Sequence, residues 1–123
     1  MQTYKVLLAD DSSRFRKMLR TAFEEEGIQV AKEASDGIEA IRMLEELLPD
    51  VMILDLVMPG LSGMDVLARV PEISPGTRVI VLTALDSEKF AAAALEAGAA
   101  DFLVKPIDPR EVLLSIKKAL AAG

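Results

Sequence analysis

Polar side chains follow four apolar runs along the chain, at the point where each run ends. Apolar runs that stop at a turn are typical of strands buried on both faces of a parallel sheet. The residues that directly follow these runs are Asp10 and Asp11, Asp55, Thr83, and Lys105. The carboxyl ends of parallel strands meet at one edge of a sheet. The acids therefore converge there if the first strand lies between the second and the third.

These residue types favour binding of a hard divalent cation and of a phosphoryl group. Three carboxylates held close together repel one another and need compensating cations. Lys105 supplies one positive charge, and a divalent ion would supply two more. Oxygen ligands without His or Cys indicate Mg²⁺, with Mn²⁺ as the alternative. Lys105 and Thr83 are placed to hold the remaining oxygens of a phosphoryl group.

Asp55 is the carboxylate that we predict to act as the nucleophile. It follows the apolar run at residues 51–54, which we expect to form a central strand. Aspartyl phosphates are known enzyme intermediates. The chain has no His to act as a general base, and an ionised carboxylate that attacks phosphorus needs none.

The composition excludes several classes of site and partner. The chain has 123 residues, a formal net charge of −6, and neither Cys nor His. Disulfides, thiolate or zinc sites and His-based triads are therefore ruled out. An acidic chain is poorly suited to binding nucleic acid, which needs a basic patch. No apolar run approaches the roughly 20 residues of a membrane span, and the amino terminus shows no signal-peptide pattern, so we expect a cytoplasmic protein without membrane or nucleic-acid contacts.

Five strand-then-helix repeats predict an α/β fold with a doubly wound, five-stranded parallel sheet. The strands are expected near residues 6–9, 28–32, 51–54, 79–82 and 101–104. The second is the most polar and alternating, which favours an edge position. Residues 1–123 are predicted to form one domain, with no linker, low-complexity segment or second domain.

The helices are predicted from apolar residues that recur every three to four positions. The first two helices are expected to turn these side chains inward: Phe15, Met18, Leu19, Ala22 and Phe23, then Ile38, Ile41, Leu44 and Leu48. Ser62 is expected to start a short third helix that Pro71 stops. Asp86 or Ser87 is expected to start the fourth, whose alanines at residues 91–94 expose flat apolar surface where a partner could dock.

The polar residues and their neighbours resemble the receiver domain of two-component response regulators, over essentially the whole chain. The motifs that carry the resemblance are Asp10-Asp11, Asp55 with Met58-Pro59-Gly60, Thr83-Ala84 and Lys105-Pro106. The stretch at residues 97–106 is especially typical. The resemblance implies a CheY-like, flavodoxin-like (βα)₅ fold with strand order 2-1-3-4-5.

The resemblance also implies a role for each site residue. Asp55 would accept a phosphoryl group from a sensor histidine kinase, and Lys105 would pair with the phosphoryl oxygens. Asp11, Asp55 and the Val57 carbonyl would bind Mg²⁺, with Asp10 acting through water. Thr83 would hydrogen-bond the phosphoryl group and draw its loop inward. Phe102 would be the aromatic residue that rotates on activation, and the Lys105–Pro106 peptide would be cis.

The resemblance implies a regulatory domain that is not a metabolic enzyme, apart from its own phosphotransfer and autodephosphorylation. Its expected partners are the kinase and a downstream protein target or an output domain of its own. A homodimer through the fourth helix and fifth strand is a further expectation. With no output domain in the sequence, we expect a free-standing, chemotaxis-type regulator.

The chain departs from the family pattern in two respects. Phe102 stands where Tyr is more common, so its two positions should differ by packing alone. Val57 and Leu85 are apolar, and we expect them to exclude the hydrolytic water and lengthen the phosphoryl lifetime.

Two other functions are alternatives to a receiver domain. One alternative is a Mg²⁺-dependent phosphohydrolase, which usually has an acid where Val57 stands. The other is a flavodoxin-like cofactor binder, which would need a phosphate-cradling loop in place of Asp10-Asp11.

Overall fold

The computed structural model describes residues 4–122, so the two ends of the predicted domain, residues 1–3 and Gly123, lie outside the described residues. Strands and helices alternate along this part of the chain, as predicted. The elements are β1 (Lys5–Ala9), α1 (Ser13–Glu25), β2 (Gln29–Ala34), α2 (Gly37–Leu47), β3 (Val51–Leu54), α3 (Gly63–Ile73), β4 (Arg78–Thr83), α4 (Glu88–Glu96), β5 (Asp101–Val104) and α5 (Pro109–Ala121).

The strands form one parallel sheet in the order β2-β1-β3-β4-β5, which confirms the order implied by the resemblance. The wholly buried β3 lies at the centre, and the more polar β2 lies at the edge. Ala9 of β1 is opposite Leu54 of β3, and Leu54 is opposite Val81 of β4. The next residues after Ala9 and Leu54 are Asp10 and Asp55, so this register places the two acids side by side.

Alternate residues of the central strands point to opposite faces, and helices cover each face. Met52 and Val81 pack on the side of α2, α3 and α4. Ile53 and Ile80 pack on the other side, against α1 and α5. The arrangement confirms the doubly wound fold. None of the helices within residues 4–122 is long and apolar enough to cross a bilayer.

Each helix begins with a side chain that accepts a hydrogen bond from a backbone N–H of the first turn, which satisfies a donor that would otherwise lack a partner. The capping residues are Ser12, Asp36, Ser62, Ser87 and Asp108. All five helices follow parallel strands, so their amino-terminal ends lie towards the carboxyl edge of the sheet. The partial positive charge of those ends favours anions at this edge.

The predicted end of the third helix is wrong. Pro71 lies inside α3, which continues to Ile73. Proline removes one backbone donor, the one that would reach the carbonyl four residues earlier. The last turn still closes because the Ser74 N–H donates to the Val70 carbonyl at 2.8 Å. The loss of a single hydrogen bond so near the end does not stop the helix.

Three side chains predicted to face inward are exposed instead. Met18 is 41% exposed, Ile38 62% and Leu48 56%. The buried side of α1 is formed by Leu19 and Phe23, which leaves Met18 at its margin. Ile38 lies in the first turn of α2. Leu48 caps the end of α2 with a left-handed φ of 46°, which turns it out of the helical repeat.

Candidate functional site

The site is built around the Lys105 ammonium, which contacts two buried carboxylates. Lys105 Nζ donates to Asp10 Oδ2 at 2.6 Å and to Asp55 Oδ2 at 3.0 Å. Both acids are only 5% exposed. Lys105 follows β5, and its backbone N–H donates to the Thr83 carbonyl at 2.8 Å, which ties its loop to the end of β4. The predicted meeting of these charges is therefore observed.

Asp11 completes an acidic cluster that could hold a metal ion. One carboxylate oxygen each from Asp10, Asp11 and Asp55 lies within 4.8 Å of the others, and Asp11 is exposed to solvent. Three carboxylates and the Lys105 ammonium carry a formal charge of −2, which one divalent cation would neutralise. An all-oxygen donor set with one side open to water fits Mg²⁺, and also Mn²⁺.

In this cluster, burial disfavours the charged forms of the side chains, whereas the hydrogen bonds between them favour those forms. Burial raises the pKa of Asp10 above its usual range, and the hydrogen bonds from Lys105 and the Ser12 N–H oppose this rise only in part. Burial alone would lower the pKa of Lys105, but hydrogen bonds to Asp10 and Asp55 outweigh it and the pKa is raised. Lys105 is therefore charged at neutral pH.

The second oxygen of each buried carboxylate is held by a backbone N–H two residues later in the chain. Ser12 N–H donates to Asp10 Oδ1 at 2.9 Å, and Val57 N–H donates to Asp55 Oδ1 at 3.0 Å. Both carboxylates are thus held at both oxygens. Val57 is 53% exposed, so an apolar residue in contact with solvent follows Asp55 by two positions.

A glycine that the sequence analysis did not single out sets how closely α3 packs against Asp55. A Cβ on Gly63 would lie 2.3 Å from the Asp55 carbonyl oxygen and 2.4 Å from Leu56 Cα. The Gly63 N–H donates to the Leu56 carbonyl at 3.0 Å. The sequence signal for Gly63 was its position directly after the helix cap Ser62, at the start of the helix that follows the Asp55 loop.

Thr83 ends β4 beside the site, and Phe102 lies within β5, three residues before Lys105. Thr83 is fully buried, and its hydroxyl accepts a hydrogen bond from the Leu85 N–H at 3.4 Å. Within residues 4–122, no hydrogen bond joins Thr83 to the carboxylates. Phe102 is half-buried and packs against the core on the α4 side. The Lys105–Pro106 peptide is cis, as the resemblance implied.

Two residues of α1 contact the site and were not predicted to do so. The Lys105 Nζ lies over the Phe15 ring, 4.2 Å from its centroid. Arg16 Nη1 donates to the Asp10 carbonyl, and Arg16 Nε donates to Glu33 Oε1 at 2.9 Å. The sequence pattern marked Phe15 only as part of an apolar face. The usable signal was their place in the first turn of the helix that follows Asp10-Asp11.

Comparison with known proteins identifies the family. The sequence model described as response regulator receiver domain matches residues 6–117. The chemotaxis protein CheY of Thermotoga maritima is 36% identical over 114 residues, covering 93% of this chain and 95% of that protein. The transcriptional regulatory protein ResD of Bacillus subtilis is 40% identical over 116 residues, covering 94% of this chain and 48% of ResD.

Solved structures agree with the sequence comparison. A CheX–CheY complex with BeF₃ and Mg²⁺ from Borrelia burgdorferi has a TM-score of 0.91 and 33% identity, covering 95% of this chain and 89% of that one. These matches give no support to a phosphohydrolase. Receiver domains are regulatory signalling domains that work with histidine kinases and output domains. The matches and the acidic pocket together show that this chain belongs to the receiver domain family of two-component response regulators.

Proposed function

We propose that Asp55 accepts a phosphoryl group from a phosphorylated histidine of a sensor kinase. The observation that carries this assignment is the environment of Asp55 at the end of the central strand. Its buried carboxylate lies 3.0 Å from the Lys105 ammonium and shares a pocket with Asp10 and Asp11. A phosphoryl donor at the carboxyl edge can reach a carboxylate in this position. The Lys105 ammonium can offset the negative charge of the incoming phosphoryl group.

The transfer needs no general base. A carboxylate oxygen of Asp55 attacks phosphorus and forms a P–O bond. The P–N bond to the kinase imidazole breaks, and its electron pair leaves with the imidazole. Lys105 already donates to Asp55, so its ammonium is next to the oxygens that the phosphoryl group brings. In hydrolysis, water would attack the phosphorus and the P–O bond to Asp55 would break with its electron pair returning to the carboxylate. The proton of the water would leave on the inorganic phosphate, and Lys105 would again lie next to the phosphoryl oxygens.

We further propose that Asp11, Asp55 and the Val57 carbonyl hold Mg²⁺ directly, with Asp10 acting through water and Mn²⁺ able to substitute. Support comes from the three carboxylates within 4.8 Å and from the formal charge of −2 that they carry together with the Lys105 ammonium. A bound Mg²⁺ supplies positive charge to the phosphoryl oxygens. The CheX–CheY complex of Borrelia burgdorferi contains BeF₃ and Mg²⁺, which supports the proposal of a Mg²⁺ site in this chain.

We propose that the phosphorylated state is read out through α4 and β5. Thr83 would hydrogen-bond the phosphoryl group and move its loop, and Phe102 would repack. Of the alanines expected to form the apolar surface, Ala92 is exposed and Ala94 is fully buried. Phe90 and Leu95 of α4 are 40% and 50% exposed, which leaves an apolar surface for a downstream protein, an output domain or a second copy. If the second copy is the occupant, Leu95→Glu keeps the beryllofluoride-treated protein monomeric in sedimentation, whereas the unaltered protein dimerises.

Incubation with Mg²⁺ and acetyl phosphate, followed by intact mass and peptide mapping, tests the assignment of Asp55. We expect one phosphoryl group per chain, located on Asp55 and absent in Asp55→Asn. Asp36→Asn is the matched control, because Asp36 caps α2 and should leave the adduct unchanged. Release of phosphate without an adduct, or an adduct elsewhere, would contradict the proposal. An adduct formed by residues 1–123 on their own would also support the proposal that this stretch acts as one receiver domain.

A further inference from the structure

We propose that Phe15 is a positioning residue for Lys105, holding the ammonium between Asp10 and Asp55 through the face of its ring. The inference rests on the proposed function, because Lys105 matters to phosphoryl transfer only if Asp55 is the acceptor. Phe15 touches the ammonium and not the proposed reacting atoms, so its effect passes through Lys105.

The three contacts of Lys105 Nζ come from three different elements of the fold. Two are carboxylates, Asp10 after β1 and Asp55 after β3, at 2.6 and 3.0 Å. The third is the Phe15 ring of α1, 4.2 Å from Nζ to the centroid. This distance is well inside the roughly 6 Å over which a ring face attracts a cation. The Lys105 side chain is 19% exposed, so water screens the attraction less than it would at an open surface.

The backbone of Phe15 is linked through Ser12 to Asp10, one of the acids that Lys105 contacts. The Phe15 N–H donates to Ser12 Oγ at 3.2 Å, and the Ser12 N–H donates to Asp10 Oδ1 at 2.9 Å. Asp10 Oδ2 then accepts from Lys105, whose ammonium returns to the Phe15 ring. Four contacts therefore link Asp10, Ser12, Phe15 and Lys105 to one another. Removing the aromatic ring breaks only the contact between Phe15 and Lys105 and leaves the other three in place.

A ring suits this position better than a third acid would. During transfer the Lys105 protons must turn from carboxylates to phosphoryl oxygens while the ammonium stays in the site. The ring attracts the ammonium without accepting a full hydrogen bond from it and without adding negative charge beside the incoming phosphoryl group. An aliphatic side chain would fill the space but would not hold the charge.

The test compares Phe15→Leu, which removes the ring, with Phe15→Tyr, which keeps it. In protein without metal or phosphoryl donor, NMR should show the Lys105 methylene protons next to Nζ shifted upfield by the ring, in the unaltered protein and in Phe15→Tyr. Phe15→Leu should lose that shift. At saturating Mg²⁺, its rate of phosphorylation by acetyl phosphate should fall about 3- to 10-fold. Phe15→Tyr should keep most of the rate.

Phe23→Leu is the matched control, because Phe23 is a fully buried aromatic on the same helix and in the core cluster against which Phe15 packs. It should lower stability while leaving the Lys105 resonances and the rate unchanged. A normal rate or unchanged Lys105 resonances in Phe15→Leu would overturn the proposal. So would a Phe15→Tyr as slow as Phe15→Leu, or a Phe23→Leu equally slow.

Failure of this inference can be told apart from failure of the proposed function. The Lys105 spectrum is recorded without any phosphoryl donor, so it reports the ring contact alone. A lack of adduct on Asp55 in the unaltered protein would remove the proposed function, whatever the spectrum shows. A normal adduct together with a Phe15-independent Lys105 spectrum would remove only the inference about Phe15.

Discussion

At the scale of single residues, the site balances three carboxylates against one ammonium. Lys105 contacts two of the acids, and the cluster retains a formal charge of −2 in the absence of a metal ion. Burial makes this charge costly, as the raised pKa of Asp10 shows. The metal-free site is therefore a place where the protein gives up stability to keep charges ready for a ligand.

Asp10→Asn should change stability in opposite directions with and without Mg²⁺. Without metal, the substitution removes a buried charge whose charged form the fold disfavours, so the free energy of unfolding at neutral pH should rise by on the order of 1 kcal/mol. With Mg²⁺ in excess, the unaltered protein should gain more stability than the variant, because the variant binds the ion less well. Denaturant unfolding measures both. A variant that is less stable without metal would contradict the charge argument.

Val57→Asn should shorten the life of the phosphorylated form. Val57 stands half-exposed beside Asp55, and its backbone N–H holds the acceptor carboxylate. An amide side chain there can orient a water molecule that the isopropyl group excludes. The decay of the mapped adduct on Asp55 gives the half-life. Val57→Leu serves as the apolar control, and a half-life that does not change in Val57→Asn would remove the idea.

At the scale of elements, α1 is tied to the edge strand β2 by a pair of arginines. Glu33 of β2 accepts from Arg16 Nε at 2.9 Å and from Arg20 Nε at 2.7 Å. Burial tends to raise the pKa of Glu33, but the two arginine hydrogen bonds outweigh it and the pKa is lowered. Arg16 also donates to the Asp10 carbonyl, so the same bridge steadies the acidic loop.

Glu33→Gln should remove a part of the stability that depends on pH. Because the folded pKa is lowered, the bridge contributes fully above the ordinary value of 4.5 and loses its contribution as the pH falls through the lowered value. The difference in unfolding free energy between the unaltered protein and Glu33→Gln should shrink as the pH drops below 4.5. Urea titrations across this range measure it. Glu45→Gln, exposed on α2, should show no such change.

Gly63→Ala should disturb the packing of α3 on the acceptor loop. The added Cβ would meet the Asp55 carbonyl oxygen at 2.3 Å and Leu56 Cα at 2.4 Å, and neither is a flexible side chain. We expect a loss of about 1–3 kcal/mol in unfolding free energy and slower phosphorylation of Asp55. Gly76→Ala is the control, because nothing lies within 4 Å of its added Cβ. Equal stability of the two variants would contradict the account.

The elements that the sequence predicted well are those whose signals are local. The buried β3 follows from four successive apolar residues, and the start of α3 follows from the capping residue Ser62. The end of α3 was missed because a rule about one residue, Pro71, ignores the hydrogen bonds that later residues still make. The exposure of Ile38 was missed because helical spacing identifies the apolar side of a helix but does not show which of its residues the rest of the fold buries.

At the scale of the whole molecule, the site exists because the sheet order brings distant residues to one edge. The apolar runs predicted five strands, but no local pattern states that β1 lies between β2 and β3. That order came from the family resemblance, and the structure confirms it. The contact of Phe15 with Lys105 escaped prediction for the same reason, since it joins α1 to the far end of β5 and needs the folded sheet.

The most direct test is a crystal structure of the protein with Mg²⁺ and beryllofluoride. We predict beryllium bonded to an Asp55 carboxylate oxygen, and the ion held by Asp11, Asp55 and the Val57 carbonyl. The Lys105 ammonium should have turned to a fluoride while remaining over Phe15. An adduct on any other side chain, or an ion bound away from Asp11 and Asp55, would contradict the account.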